Sequence, residues 1–182
     1  MPDMITVTPG AMTLAQMRIV ERDGVALDLA GDWRTPVQTA AAMVARVVEE
    51  ERVVYGINTG FGLLASKSIS ATDVRELQVR LVRSHCAGTG FLLDEETVRL
   101  VMALKLISLA RGYSGVRIET IELLLAMLER GVIPAIPAKG SVGASGDLAP
   151  LAHMSAVMIG EGEAFVDGER MPAAAALAKA GL

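Results

Sequence analysis

Residues 140–151 read Gly-Ser-Val-Gly-Ala-Ser-Gly-Asp-Leu-Ala-Pro-Leu, and the fold of the chain turns on how this stretch is read. Its central tripeptide, Ala144-Ser145-Gly146, can react with itself. Attack of the Gly146 amide nitrogen on the Ala144 carbonyl carbon closes a five-membered ring. Loss of water from that ring and from the Ser145 side chain leaves a methylidene-imidazolone, an electrophile that no ordinary side chain supplies. Glycine lacks a Cβ, so its nitrogen is accessible and its backbone takes the cramped conformation the attack requires. Alanine keeps the attacked carbonyl uncrowded, and a serine hydroxyl can leave to give the exocyclic methylene. The bare tripeptide is also what a flexible glycine-rich turn looks like. A phosphate-binding loop needs Gly-Lys-Ser/Thr, whereas the order here is Lys139-Gly140-Ser141.

The chain has 182 residues, enough for one domain or for one and part of another. It is 52% hydrophobic with only 3% aromatic residues, and its mean hydropathy is +0.43. Alanine, leucine, valine and methionine carry this apolar content, which suits closely packed helices. So much apolar surface on a short chain suggests burial against partners as well as in its own core. Charges such as Lys105 and Glu122 interrupt the apolar runs, and none reaches the roughly 18 residues of a membrane span. The N-terminus shows no secretory signal. The single Cys86 rules out an internal disulfide framework and fits a reducing compartment. A net charge of −4 is not the basic footprint of a nucleic-acid binder. A cytoplasmic, mainly helical protein with neither nucleic-acid nor membrane partners is expected.

Local signals outline the elements. A short strand at 5–7 precedes a helix from Thr13 to about Arg22, ending near Gly24. Thr35-Pro36 reads as an N-cap with proline at the first helical position, and Val37, Ala41, Val44 and Val48 recur at helical spacing. Residues 53–57 read as a short extended segment leading into the glycine loop Asn58-Thr59-Gly60-Phe61-Gly62. Ser70 to Asp73 forms a capping-box pattern before a helix whose stripe is Val74, Leu77, Leu81 and His85. Gly88 and Gly90 end it. Asp94 caps an apolar helix to about Arg111, and Ile118, Ile121, Leu125 and Leu128 stripe the next, closed by Gly131. Pro134 and Pro137 forbid helix before the 140–147 loop. A helix over 148–159 follows, then a hairpin at Asp167-Gly168 and an alanine-rich helix opened by Pro172. The expected division is 1–112, mainly helical with short strands, and 113–182, the start of a helical central domain.

Several side chains could carry chemistry. Tyr55 stands at the mouth of a glycine loop, as either a structural hydroxyl or a base. A free phenol ionises near pH ~10, so a base of this type needs neighbouring dipoles, such as the N-terminus of the helix after Asp147. Asp147 reads as a helix N-cap, as a group polarising the nearby backbone, or as both. His85 reads as a core histidine or as a ligand contact. A metal site built from His85, Cys86 and His153 lacks the usual ligand spacing, and no metal is expected.

Extended to His153, the opening string closely resembles the signature of the histidine and aromatic amino acid ammonia-lyases. Tyr-Gly-Ile-Asn-Thr-Gly-Phe-Gly at 55–62 resembles the second segment of that family, and Leu-Val-Arg-Ser-His-Cys-Ala-Gly-Thr-Gly at 81–90 the third. The resemblance covers essentially the whole chain. It implies a mainly α fold, in which an N-terminal mixed α/β region leads into a helical bundle. It also implies a protein-derived methylidene-imidazolone from Ala144, Ser145 and Gly146, with no external cofactor, and Tyr55 as the base. Ser84, His85, Gly62 and Leu63 would contact the substrate. The Ser-His pair matches the histidine-specific branch, where L-histidine becomes urocanate and ammonia; tyrosine- and phenylalanine-specific relatives tend to carry His-Leu and Phe-Leu. A homotetramer is implied. The alternatives are a tyrosine or phenylalanine ammonia-lyase or aminomutase, and a non-catalytic module whose loop never matures. Arg80 stands where relatives carry asparagine, and Arg83 where they carry an apolar residue. Family members are much longer and supply further pocket residues beyond the position of Leu182, so the isolated chain is expected to have little activity.

Overall fold

The computed structural model of the chain describes residues 4–59, 69, 71–144 and 148–182, with the side chains of 23, 71, 72, 74 and 75 excepted. The fold is mainly helical, and its N-terminal part mixes strands with helices. Strand β1 (Met4–Val7) pairs in parallel with β2 (Ala26–Leu29), and helix α1 (Leu14–Asp23) is the crossover between them. Thr13 caps α1 reciprocally: its hydroxyl accepts the Gln16 N–H at 3.2 Å, and Gln16 Oε1 accepts the Thr13 N–H at 2.9 Å. Two otherwise orphaned donors are thereby satisfied.

Helix α2 (Arg34–Glu49) corrects the expected start. It begins before Thr35, and the side chain that receives a first-turn N–H is Asp32, whose Oδ1 accepts from Thr35 N at 3.1 Å. Hydrogen bonding to Thr35 holds the Asp32 carboxyl below the usual carboxylate range. Pro36 sits inside the first turn, where a missing N–H leaves no bond unmade. The extended segment expected over 53–57 is instead a turn. The buried Asn58 bends it, because its Oδ1 accepts from Val54 N at 3.0 Å and its Nδ2 donates to Arg52 O at 2.8 Å. A side chain that satisfies backbone groups locally removes the need for a strand partner.

Helix α3 (Ala71–His85) follows, and Ser70 of the expected capping box lies outside the described residues. Strand β3 (Thr89–Leu92) leads to α4 (Glu95–Leu109), capped as expected by Asp94, whose carboxylate accepts from Thr97 N at 2.7 Å. Next come α5 (Ile118–Glu129), β4 (Ile133–Pro134), β5 (Pro137–Lys139) and α6 (Ala149–Met158), the last with Pro150 in its first turn. Strands β6 (Glu163–Val166) and β7 (Glu169–Pro172) form the expected hairpin and lead into α7 (Ala173–Lys179). Asp167 and Gly168 both take positive φ, 55° and 75°, as a two-residue hairpin turn demands. Strand β6 is central in a three-stranded sheet with β4 and β7.

Met102 and Leu106 of α4 and Ile121, Leu124 and Met127 of α5 are fully buried and form the centre of the core. Val7, Leu27, Leu29 and Trp33 close it on one side, and Ile133, Ile136, Met154 and Val157 on the other. The core therefore draws on residues before and after 112. Leu124 and Met127 are buried where the expected α5 stripe has Leu125, so the inward face of α5 is rotated relative to the sequence pattern. Among the described residues, no helix is long and apolar enough to cross a membrane.

Strands β3 and β5 are short and contain Gly90 and Pro137, so neither stands out in the sequence. Their antiparallel pairing, with Thr89 opposite Lys139 and Leu92 opposite Pro137, matters most for the site. It sets the end of α3 beside the start of the 140–147 loop.

Candidate active site

The segments flanking the Ala144-Ser145-Gly146 tripeptide are anchored to each other. Ala149 N, at the start of α6, donates to Ser141 O at 2.9 Å, and Gly143 N donates to Ser141 Oγ at 3.2 Å. These bonds tie the two ends of the loop together. Gly140 makes the approach possible: a Cβ there would stand 2.9 Å from Ala149 Cβ and 3.4 Å from Gly88 Cα. Ala144 is exposed in the turn after Gly143. Ser145, Gly146 and Asp147 lie outside the described residues, as do Gly62 and Leu63. Residue types and closed flanks fit a ring formed within 144–146, because ring closure needs a backbone held in a short, tight loop.

His85 ends α3 with its ring fixed from one side. Its Nδ1 lies 2.8 Å from Leu81 O and 3.0 Å from Ser84 Oγ, while Ser84 Oγ donates to Leu81 O at 2.9 Å. A carbonyl only accepts, so Nδ1 carries a proton, and Nε2 is the ring atom left to act as an acceptor when it carries none. His85 lines a cleft of about 330 Å³ with Leu81 and Val82 of α3, Lys105 of α4, and Leu148, Leu151, Ala152 and Ser155 at and within α6. A second, apolar cleft of about 430 Å³ shares Lys105 and Leu151 with it.

The fold thus brings His85 together with the helix that follows the tripeptide. Ser84 is exposed, and its hydroxyl meets the His85 ring directly while sharing the Leu81 carbonyl with it. Tyr55, 65% exposed in the 55–57 turn, lines neither cleft. Lys105 and Ser155 are cleft residues that the sequence did not single out. For Lys105 the signal was present, as a charge interrupting the apolar run of α4. His85, Cys86 and His153 do not gather around a point: among the described residues, no three His, Cys, Asp or Glu side chains are grouped to hold a metal ion.

Both arginines that depart from the family pattern are accounted for on the surface of this chain. Arg80 pairs with Glu76 one turn earlier at 2.8 Å. Arg83 grips Glu161, just beyond α6, with Nε 3.0 Å from each carboxylate oxygen. The Arg83 hydrogen bond holds the Glu161 carboxyl below its ordinary value. Neither arginine lines the His85 cleft.

His153 makes a second link between the same elements. Its Nε2 accepts the Gly88 N–H at 3.1 Å, and burial pushes the imidazole below its ordinary value of about 6.5. The unfolded chain therefore binds a proton more readily than the native one. The stability contributed by neutral His153 is fully present above pH ~6.5 and is lost as pH falls below it, towards the native value. Melting temperatures between pH 7.5 and 5 are expected to fall more steeply for the unaltered protein than for His153→Gln, which has no titrating ring at this position.

Residues 12–182 match the family model described as aromatic amino acid lyase. Among solved structures, the chain resembles tyrosine aminomutase from Streptomyces globisporus at 34% identity and a TM-score of 0.90, over 98% of this chain and 34% of that one. It resembles histidine ammonia-lyase from Trypanosoma cruzi at 31% identity and a TM-score of 0.89, again over 98% and 34%. A third likeness is to the ergothioneine-degrading enzyme ergothionase from Treponema denticola, at 28% identity and a TM-score of 0.93, over 99% and 36%. The chain spans about one third of the length of each of these proteins.

Proposed function

Because this chain belongs to the aromatic amino acid lyase family, we propose that it serves the non-oxidative deamination of L-histidine to urocanate and ammonia. The observation that carries the histidine assignment is the anchored ring of His85. With Nδ1 committed to Leu81 O, its Nε2 can accept the N–H of a substrate imidazole at the cleft beside α6. The methylidene-imidazolone formed from Ala144, Ser145 and Gly146 supplies an electrophile that turns the substrate amine into a better leaving group.

The remaining work falls to side chains. Tyr55, which lines neither cleft of its own chain, is the base that takes the β-proton, in a site shared with another copy of the chain. His85 and Ser84 orient the substrate ring, and Gly62 and Leu63 complete the contacts around it. Leu81, Leu148 and Leu151 give the cleft apolar walls. Further copies of the chain, as a homotetramer, are the proposed cover for exposed apolar residues such as Leu14, Phe91 and Tyr113. The cytoplasm is the proposed compartment, supported by the lone free thiol of Cys86.

A second reading within the family is a tyrosine or phenylalanine lyase or aminomutase. It is favoured by the 34% identity to tyrosine aminomutase, and an imidazole acceptor can also take a phenol hydroxyl. Turnover of histidine, tyrosine and phenylalanine by the protein, purified as its native host makes it, separates the two. Urocanate from histidine is expected, and turnover of tyrosine alone would refute the histidine assignment. His85→Leu removes one substrate hydrogen bond and is expected to raise KM for histidine about tenfold, with a smaller effect on phenylalanine.

A further inference from the structure

Gly88 follows the last turn of α3 and lies against two segments at once. A Cβ at Gly88 would stand 2.9 Å from His153 Nε2 and 3.1 Å from Pro137 Cβ. Its N–H, released from the helix ladder, is taken by His153 Nε2 at 3.1 Å. Within α6, Ala152 and Ser155 line the His85 cleft, whereas His153 reaches across to Gly88. These roles fit the helical period, since residues three apart share a face that their immediate neighbour does not.

We propose that His153 is a positioning residue for substrate recognition: by accepting the Gly88 N–H, it sets where Ser84 and His85 stand relative to α6. This rests on the reading of Ser84 and His85 as substrate contacts. The chain of contacts is short. Two residues separate His85 from Gly88. Gly88 is held by His153, and Gly140, at the mouth of the tripeptide loop, packs against both Gly88 and Ala149. Burial keeps the His153 ring in its neutral form, the form in which Nε2 can accept. The ring therefore joins the recognition end of the cleft to the helix that grows out of the reactive loop.

The test uses the two histidines of the chain, His85 and His153, whose ring signals can be followed separately by NMR. In the unaltered protein, His153 is expected as the Nδ1–H tautomer. His153→Gln retains an acceptor at the Nε2 position and should leave the His85 ring signals in place. His153→Leu has no acceptor, and Gly88→Ala forces the backbone away; each should displace the His85 signals. In turnover, His153→Leu is expected to raise KM for histidine about tenfold with kcat within about threefold, and His153→Gln to restore KM. Unmoved His85 signals in both His153→Leu and Gly88→Ala would overturn the proposal. So would displacement by His153→Gln, which would make the ring's packing, not its acceptor atom, responsible. If His153→Leu fails to fold, Gly88→Ala and His153→Gln still decide it. If the unaltered protein does not act on histidine, the substrate assignment falls, while the His85 spectra still decide the positioning role.

Discussion

Ser145→Ala is expected to give a protein whose intact mass equals that of its sequence, whereas the unaltered protein falls short by two waters. One water comes from closing the ring between Gly146 N and Ala144 C, and the other from the Ser145 side chain. Alanine has no hydroxyl to lose, so the exocyclic methylene cannot form. The flanks that hold the loop, Ala149 N on Ser141 O and Gly143 N on Ser141 Oγ, do not involve residue 145. The variant should therefore fold normally and keep the His85 cleft. Its turnover is expected to fall at least about a thousandfold, the scale on which one preorganised electrophilic group is felt. A full mass in the unaltered protein would favour the reading as an assembly module whose loop does not mature.

Gly112→Ala is expected to cost about 2–4 kcal/mol of stability without touching the site. Gly112 has φ 76°, and a Cβ there would meet the backbone of Pro36, at 2.6 Å from its carbonyl carbon and 2.8 Å from its oxygen. Forcing a Cβ into left-handed backbone costs about 1–2 kcal/mol by itself. The clash adds to that, because what must move is the first turn of α2 and not a flexible side-chain tip. Gly131→Ala supplies the control: its φ is 65°, with nothing within 4 Å of the added Cβ. It is expected to show the conformational cost alone, so urea midpoints of the two variants should separate the terms. At about 2–4 °C per kcal/mol for a chain of this size, Gly112→Ala should lower Tm by roughly 4–16 °C.

What could be read in the sequence was local. The Asp94 cap and the Asp167-Gly168 turn each rest on a few adjacent residues, and the structure carries both. Strands β2, β3 and β5 escaped because three or four residues are too few to show a period, and because the partners of β3 and β5 are distant in the chain. The turn at 55–57 escaped because one buried amide, Asn58, outweighs the β-preference of two valines and a tyrosine. Of the candidate residues, the tripeptide, Tyr55 and Ser84-His85 were visible as pattern. Glu161 and His153 were not, since their roles exist only as contacts: Arg83 meets Glu161 78 residues away, and Gly88 meets His153 65 residues away. Lys105 showed itself as a charge out of place, but its cleft is made by three helices together.

The back-to-back glycines at 88 and 140 have a consequence for anyone wishing to redesign this protein. With no side chain between them, the two backbones behave as a single joint, and there is no slack to absorb a change in chain length beside it. Under the proposed function, substrate preference is open to exchange of side chains at 84 and 85, which leaves the joint intact. An insertion between 85 and 89 would be transmitted directly to the loop entrance. Insertions at the surface turn between α4 and α5, more than twenty residues from either glycine, would not. The end of α3 and the 140–147 loop are in this sense one module, to be transplanted together or not at all.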